Sequence, residues 1–243
     1  MVTIPRLKRC TPDERRENIL AVATRVFTQS GYGETSMSSI AAELGGSKAT
    51  LYKYFPSKEH LFEAVLLRNC GEVKAALQAL AENDSDDLEA MLADFGTRFL
   101  STLCSQRSLD VYRMVHAASV QFPEAAKLFF RSGPDHSRRS LAPILARQAA
   151  LRGITLEDPC MAADQFLGMV RGNLHMRVAL RVIPPPEPDT IRRYASHAAH
   201  VFTQWLLLAA PRTGEQGEQG ERAESPSPDL PSPDSPQASS PDA

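Results

Sequence analysis

The chain has 243 residues, 42 % of them hydrophobic, and a formal net charge of −2. No apolar run approaches the ~18 residues of a membrane span, and the first residues lack the apolar stretch of a secretory leader. A soluble, cytoplasmic protein without membrane contact is expected. Alternating runs of Val, Ile and Thr are almost absent, while Ala, Leu, Arg and Glu recur at helical spacing, so the pattern predicts an all-α fold.

The charge is uneven. Residues 1–60 hold nine Lys and Arg against six Asp and Glu, a net of +3, whereas residues 211–243 hold two Arg against seven acids, a net of −5. A mildly basic end on a neutral body permits nucleic-acid binding without demanding it. Cys10, Cys70, Cys104 and Cys160 lie far apart with no metal-ligand spacing and read as reduced thiols. No metal and no cofactor is expected.

Residues 1–10 read as a flexible arm, and residues 11–57 as a DNA-binding domain. Thr11, Pro12 and Glu14 form a capping box with proline at the first helical position. Ile19, Ala23, Val26 and Phe27 then make one apolar stripe, and Gly31-Tyr32-Gly33 ends the helix. Ser36 caps a short helix with Ile40, Ala41 and Leu44 inward; Gly45-Gly46 breaks it; Ser47 caps a second, with Leu51, Tyr52 and Phe55 inward. Pro56 stops that helix. Two short helices joined by a glycine turn are the pattern of a helix-turn-helix, whose second helix enters the major groove. Its outer face offers Lys48, Ala49, Thr50 and Lys53, short or cationic groups suited to base edges and phosphates.

Residues 58–210 read as a helical ligand-binding and dimerisation domain. Ser57 caps a helix expected to run to about Leu80. Further helices are expected at about 86–104, 108–120, 123–132, 136–152 and from Asp158-Pro159 to about Arg181, with an interruption at Gly133-Pro134. Four prolines at 184–188 form a stiff spacer before a last amphipathic helix. Residues 211–243 are rich in Pro, Ser, Glu and Gly and read as a disordered acidic tail.

Residues 36–63, SMSSIAAELGGSKATLYKYFPSKEHLFE, resemble the DNA-binding signature of the TetR family, and TRVFTQSGY before them also fits. FPEAAKLFF, SGPDHSRRSLAPIL and DQFLGMVRG resemble the regulatory domain of the AefR-like group of that family. The resemblance implies nine or ten helices, a homodimer, and release from an operator in double-stranded DNA by a small-molecule effector. It assigns groove contacts to Lys48, Ala49, Thr50 and Lys53 and phosphate contacts to Ser36, Tyr52, Tyr54 and Lys58, with Ser47 beside them at the helix start. Tyr54 fits the edge of the core equally well. Gly46 departs from the family, which carries a valine-like residue packed under the turn; its lack removes apolar burial of order 1–2 kcal/mol.

The candidate effector pocket comprises Phe95, Phe99, Leu103, Tyr112, His116, Phe166, Met169, Val170 and Asn173; the same residues would also describe an ordinary helical core. Gly168 and Gly172 form a GxxxG that calls for close packing, either within the chain or across a two-fold. The candidate dimer face is completed by Tyr194, Ala198, Val201, Phe202 and Trp205. The alternatives to a repressor are an all-α binding protein or enzyme with a vestigial DNA-binding domain, and a nucleoid-type binder. No GxSxG, P-loop, HExxH or dinucleotide fingerprint supports an enzyme.

Overall fold

The computed structural model describes residues 11–83 and 85–208, and every regular element among them is helical. The expected arm at 1–10 and tail at 211–243 lie outside the described residues.

Helix α1 (Pro12–Glu34) opens on the expected capping box: the Thr11 hydroxyl accepts from the Glu14 amide at 3.1 Å and the Glu14 carboxylate accepts from the Thr11 amide at 2.8 Å. It is kinked at Gly31, whose φ of 82° suits a residue without Cβ. Helices α2 (Met37–Glu43) and α3 (Lys48–Tyr54) follow, then α4 (Lys58–Asn69) and α5 (Gly71–Ala81). The single helix expected from Ser57 to Leu80 is therefore two. Cys70 tightens the last turn of α4 with ψ of 0°, and Gly71, without side-chain contacts, lets the chain restart.

Helices α6 (Leu88–Leu103), α7 (Gln106–Ala118) and α8 (Pro123–Phe130) are next. The expected interruption at Gly133-Pro134 is instead one wide π-helical turn, Arg131–Asp135, running into α9 (His136–Ala150). Pro134 has no N–H and its ring would crowd the carbonyl four residues back; widening the turn accommodates both defects without ending the helix. Helix α10 (Pro159–Ala179) is kinked at Gly172 (φ 48°, ψ −156°), and α11 (Pro188–Leu208) closes the described chain. With the split at Cys70 the helices number eleven among the described residues, not the nine or ten implied by resemblance.

The apolar side chains gather in two clusters. One joins α1–α4 to Val111, Met114 and Val115 of α7 and Ala125 of α8. The other fills the space among α5, α6, α9, α10 and α11, with α6 and α11 packed closely along their lengths. Leu61, Phe62, Val65 and Leu66 of α4 thus belong to the same core as the helix-turn-helix, so the apolar packing does not divide at residue 57.

Candidate nucleic-acid interface and effector cavity

The helix-turn-helix is held by caps and by one buried anchor. Ser36 Oγ accepts from the Ser39 amide at 3.0 Å, and the Ser39 hydroxyl returns the contact to the Ser36 amide, also at 3.0 Å. Gly45 takes φ of +62° at the turn. Ser47 Oγ accepts from the Thr50 amide at 3.2 Å and lies 2.9 Å from Thr50 Oγ1, so these two hydroxyls begin α3 as a pair. Leu51 buries the inner side of α3, while Lys48, Ala49, Tyr52 and Lys53 are exposed on the outer side. Tyr54 packs half-buried against the N-terminal core. Arg25 of α1 pairs with Glu43 at the end of α2 at 2.6 Å, fixing the first helix of the motif to its support.

Gly46 is exposed, and a Cβ added there would meet nothing within 4 Å. A crevice of about 140 Å³ lies beneath it, bordered by Ile19, Leu44 and Leu51.

Lys58 differs from the other lysines of the motif. Its Nζ donates to the Tyr32 carbonyl at 3.1 Å and lies 4.4 Å from the Tyr32 ring centroid and 6.0 Å from that of Phe122. Tyr32 in turn packs against Phe27, Phe62 and Phe122. Burial, aided by the neighbouring Glu59 carboxylate, pushes its phenol up to about 12. The side chain expected to reach a phosphate is thereby tied into the join between α1, α4 and the α7–α8 corner.

In the other half of the molecule a cavity of about 200 Å³ lies where α4, α5, α6, α7, α10 and the π-helical turn meet. It takes in Phe99, Leu103 and Tyr112 of the expected pocket. Phe95, Phe166 and Val170 are instead fully packed core, and His116, Met169 and Asn173 are exposed and outside it. For Asn173 the reason is the kink at Gly172. On a straight helix Asn173, seven residues after Phe166, would share its inward face; past the kink the inward positions become Leu174, His175 and Val178. Sequence reasoning therefore missed His175, along with Asn69 and Cys70 from the α4–α5 break and Phe129 from α8. On α10 itself, the spacing of Asp164, Leu167, Gly168 and Arg171 marks a helical face that could have been read.

His175 is 5 % exposed and forms no hydrogen bond among the described residues; its ring meets the Tyr112 ring edge-to-face with centroids 4.9 Å apart. Burial, and secondarily the Arg171 charge, lowers its pKa to about 4, so the imidazole is neutral near pH 7. The Thr102, Ser108 and Ser137 hydroxyls on the same wall already have protein partners.

Of the expected dimer face, Ala198 and Phe202 are buried in the core of the chain itself, where α11 packs on α6. Tyr194, Val201 and Trp205 are exposed, at 36 %, 41 % and 43 %. Gly168 borders the cavity, and a Cβ added to it would meet nothing within 4 Å, so it makes no tight crossing within the chain; Gly172 makes the kink. Among the described residues no helix is long and apolar enough to cross a membrane.

Residues 19–65 match the model of the bacterial regulatory proteins of the tetR family, and residues 90–205 match that of the AefR-like transcriptional repressor C-terminal domain. The chain is 34 % identical over 125 residues to the HTH-type transcriptional regulator EthR of Mycobacterium tuberculosis, a match covering 51 % of this chain and 57 % of EthR. The chain thus spans little more than half the length of that relative. The solved structure of the flavonoid-responsive regulator FrrA is 32 % identical, with a TM-score of 0.66 over 83 % of this chain and all of that one. A TetR-family regulator from Mesorhizobium loti is 25 % identical, with a TM-score of 0.67 over 80 % of this chain and 98 % of that one. With both family models matched in order on an all-helical fold that carries the helix-turn-helix in its first third, the chain belongs to the TetR family of DNA-binding transcription regulators.

Proposed function

We propose that this protein is a cytoplasmic, dimeric, ligand-responsive repressor that leaves a palindromic operator when a small molecule fills the cavity behind α4. The observation that carries the reading is the outer face of α3: Lys48, Ala49, Tyr52 and Lys53 stand clear of the core while Leu51 anchors the opposite side. One seven-residue helix reads few bases, so two copies set about 34–36 Å apart in successive major grooves are needed. The exposed apolar side of α10 and α11 supports a two-fold four-helix contact.

The cavity supports the effector part of the reading. It touches Asn69 and Cys70 at the end of α4, and α4 starts at Lys58 against the DNA-binding helices. A ligand that favours one placement of α4 shifts the dimer toward the form whose reading helices no longer match the operator. The shift is limited by the ligand's differential affinity for the two forms. The flavonoid response stated in FrrA's name favours an aromatic effector by analogy. The protein is read as a binding protein rather than an enzyme, because neither the α3 face nor the cavity assembles a nucleophile with a base.

The test is a titration of the full chain against the duplex upstream of its own gene, with a scrambled duplex as control, at two salt concentrations. Saturable binding to the upstream duplex alone is expected. Equal, strongly salt-dependent binding to both duplexes at every fragment tried would make the protein a nonspecific binder and sink the repressor reading.

A further inference from the structure

The chemistry of the cavity wall limits what can occupy it. The cavity holds about 200 Å³. That is somewhat more than the ~150 Å³ that accepts a benzene molecule in an engineered apolar cavity, and below the roughly 300–1,000 Å³ of sites for drug-sized ligands. A single substituted ring fits that scale. Phe99, Tyr112 and Phe129 supply aromatic walls, with Tyr112 and Phe129 meeting edge-to-face at 6.3 Å. A ring placed among them gains the offset and edge contacts that aromatic groups prefer over aliphatic ones.

Two polar side chains on the inner wall make no hydrogen bond among the described residues: the His175 imidazole, 5 % exposed, and the half-buried Tyr112, whose ring meets it edge-to-face; Asp164 and Arg171 at the rim make none either but are exposed to solvent. Once a ligand shuts water out of the cavity, a polar group on its wall that is left without a partner becomes costly. A neutral imidazole offers one N–H and one acceptor nitrogen, and a phenol O–H both donates and accepts. A group that both donates and accepts complements this pair, and a hydroxyl is the smallest such group on an aromatic ring; a ketone only accepts. A carboxylate would lose its water against two neutral groups, since Arg171, the cation bordering the cavity, is itself exposed and solvated.

We propose that the effector is a compact, uncharged phenol, a single hydroxyl-bearing aromatic ring that packs among Phe99, Tyr112 and Phe129 and hydrogen-bonds to His175. This rests on the effector reading given above, for which it names the ligand class. His175 is the specificity-determining residue of the site, selecting the hydroxyl where the rings alone would accept any aromatic molecule.

The experiment is calorimetric titration of the DNA-free full chain with para-cresol, toluene, para-toluate, octanoate and naringenin, repeated on His175→Phe, His175→Gln and Tyr112→Phe. para-Cresol is expected to bind about tenfold or more tightly than toluene, para-toluate or octanoate, the difference one satisfied hydrogen bond makes. His175→Phe removes that preference and leaves toluene binding intact, and His175→Gln, which keeps a donor and an acceptor, restores it. Should His175→Phe not fold, His175→Leu, which also removes both ring nitrogens, is expected to lose the para-cresol preference in the same way. No binding by para-cresol, tighter binding of para-toluate or octanoate, or an unchanged preference in both His175→Phe and Tyr112→Phe overturns the phenol assignment. Binding of naringenin tenfold tighter than para-cresol overturns the single-ring limit. Because binding is read without DNA, para-cresol that binds as described yet leaves operator complexes intact upholds the ligand class and refutes effector-driven release.

Discussion

The Lys58 ammonium has three hydrogens to place, and one of them goes to the Tyr32 carbonyl while the charge lies 4.4 Å from the same residue's ring. A charged hydrogen bond and a part-shielded cation–π contact together are worth about 1–2 kcal/mol. Lys48 is exposed, and its Nζ lies 5.9 Å from the Tyr52 ring centroid with no hydrogen bond or ion pair among the described residues. Lys58→Ala is therefore expected to lose about 1–2 kcal/mol in chemical denaturation, and Lys48→Ala to keep its stability but change which operators it prefers. A Lys58→Ala variant of full stability whose salt slope falls by about one unit would return Lys58 to the phosphate backbone. His175 gives a second expectation, with a definite sign. Its folded pKa of about 4 lies below the ordinary 6.5 because burial penalises the charged ring. The unfolded chain takes up the proton first, so stability falls as pH drops from 6.5 toward 4, by up to about 3 kcal/mol. His175→Gln lacks this term. Melting curves of the two proteins that stay parallel across that window would refute it. Lys48, Ala49 and Lys53 on the α3 surface were legible in the sequence because a short capped helix has one polar side. Tyr52, expected inward beside Leu51, instead stands 42 % exposed, and Thr50, expected outward, is half-buried, because Leu51 and Phe55 alone fill the inner side. His175 was not legible, because the backbone turn at Gly172 exchanges inward and outward positions after it.

Glycines decide several of the helix contacts, in opposite directions. Gly46 sits over the crevice of about 140 Å³ at the turn, with open space where a Cβ would go and no positive φ to forbid one. Gly46→Val is expected to stabilise the protein by about 1 kcal/mol, through apolar burial against Ile19 and Leu51 and a less flexible unfolded chain. A drop in melting temperature would mean that the crevice closes only by moving α3. Gly96 of α6 is the reverse case: a Cβ there would stand 3.2 Å from Ala195 Cβ of α11 and 3.3 Å from Val170 Cγ2 of α10. Gly96→Val is expected to cost about 1–3 kcal/mol by overpacking that crossing, seen as a lower unfolding midpoint. An unchanged midpoint would show that α11 can slide away freely. At this scale the capped and proline-started helices were readable, since Thr11, Ser36, Ser47 and Ser57 all cap where the sequence places them. The break at Cys70 was not, because no proline marks it and Gly71 within an apolar pattern looks like a tolerated helical residue. The turn at Pro134 was misread for the opposite reason. A proline there signals an end, but the chain widens by one residue and continues because α8 and α9 both remain packed on either side.

For the whole molecule the question is what covers the outer side of α10 and α11. Tyr194, Val201 and Trp205 are each more than a third exposed, and Met161, Met169 and Met176 on α10 are exposed as well. Their neighbours Ala198 and Phe202 are already spent on the core, so the exposed set is a separate surface and not the ragged edge of the first. A stable two-fold contact needs roughly 800 Å² from each partner, an extent that two helices of 21 residues each can supply. If a second copy covers this side, a charge placed there should separate the copies without unfolding either. Val201→Glu is the suitable change, because Val201 is 41 % exposed in the single chain and its replacement need not disturb the core. Sedimentation should then find the wild type at twice the mass of the variant at micromolar concentration. The variant should keep its helical content yet bind a two-half-site duplex no more tightly than a single half-site, since the two reading helices are no longer linked. A variant that remains dimeric would move the interface to another surface. One that is monomeric but still prefers the full palindrome would mean that the DNA, rather than α10 and α11, brings the two copies together.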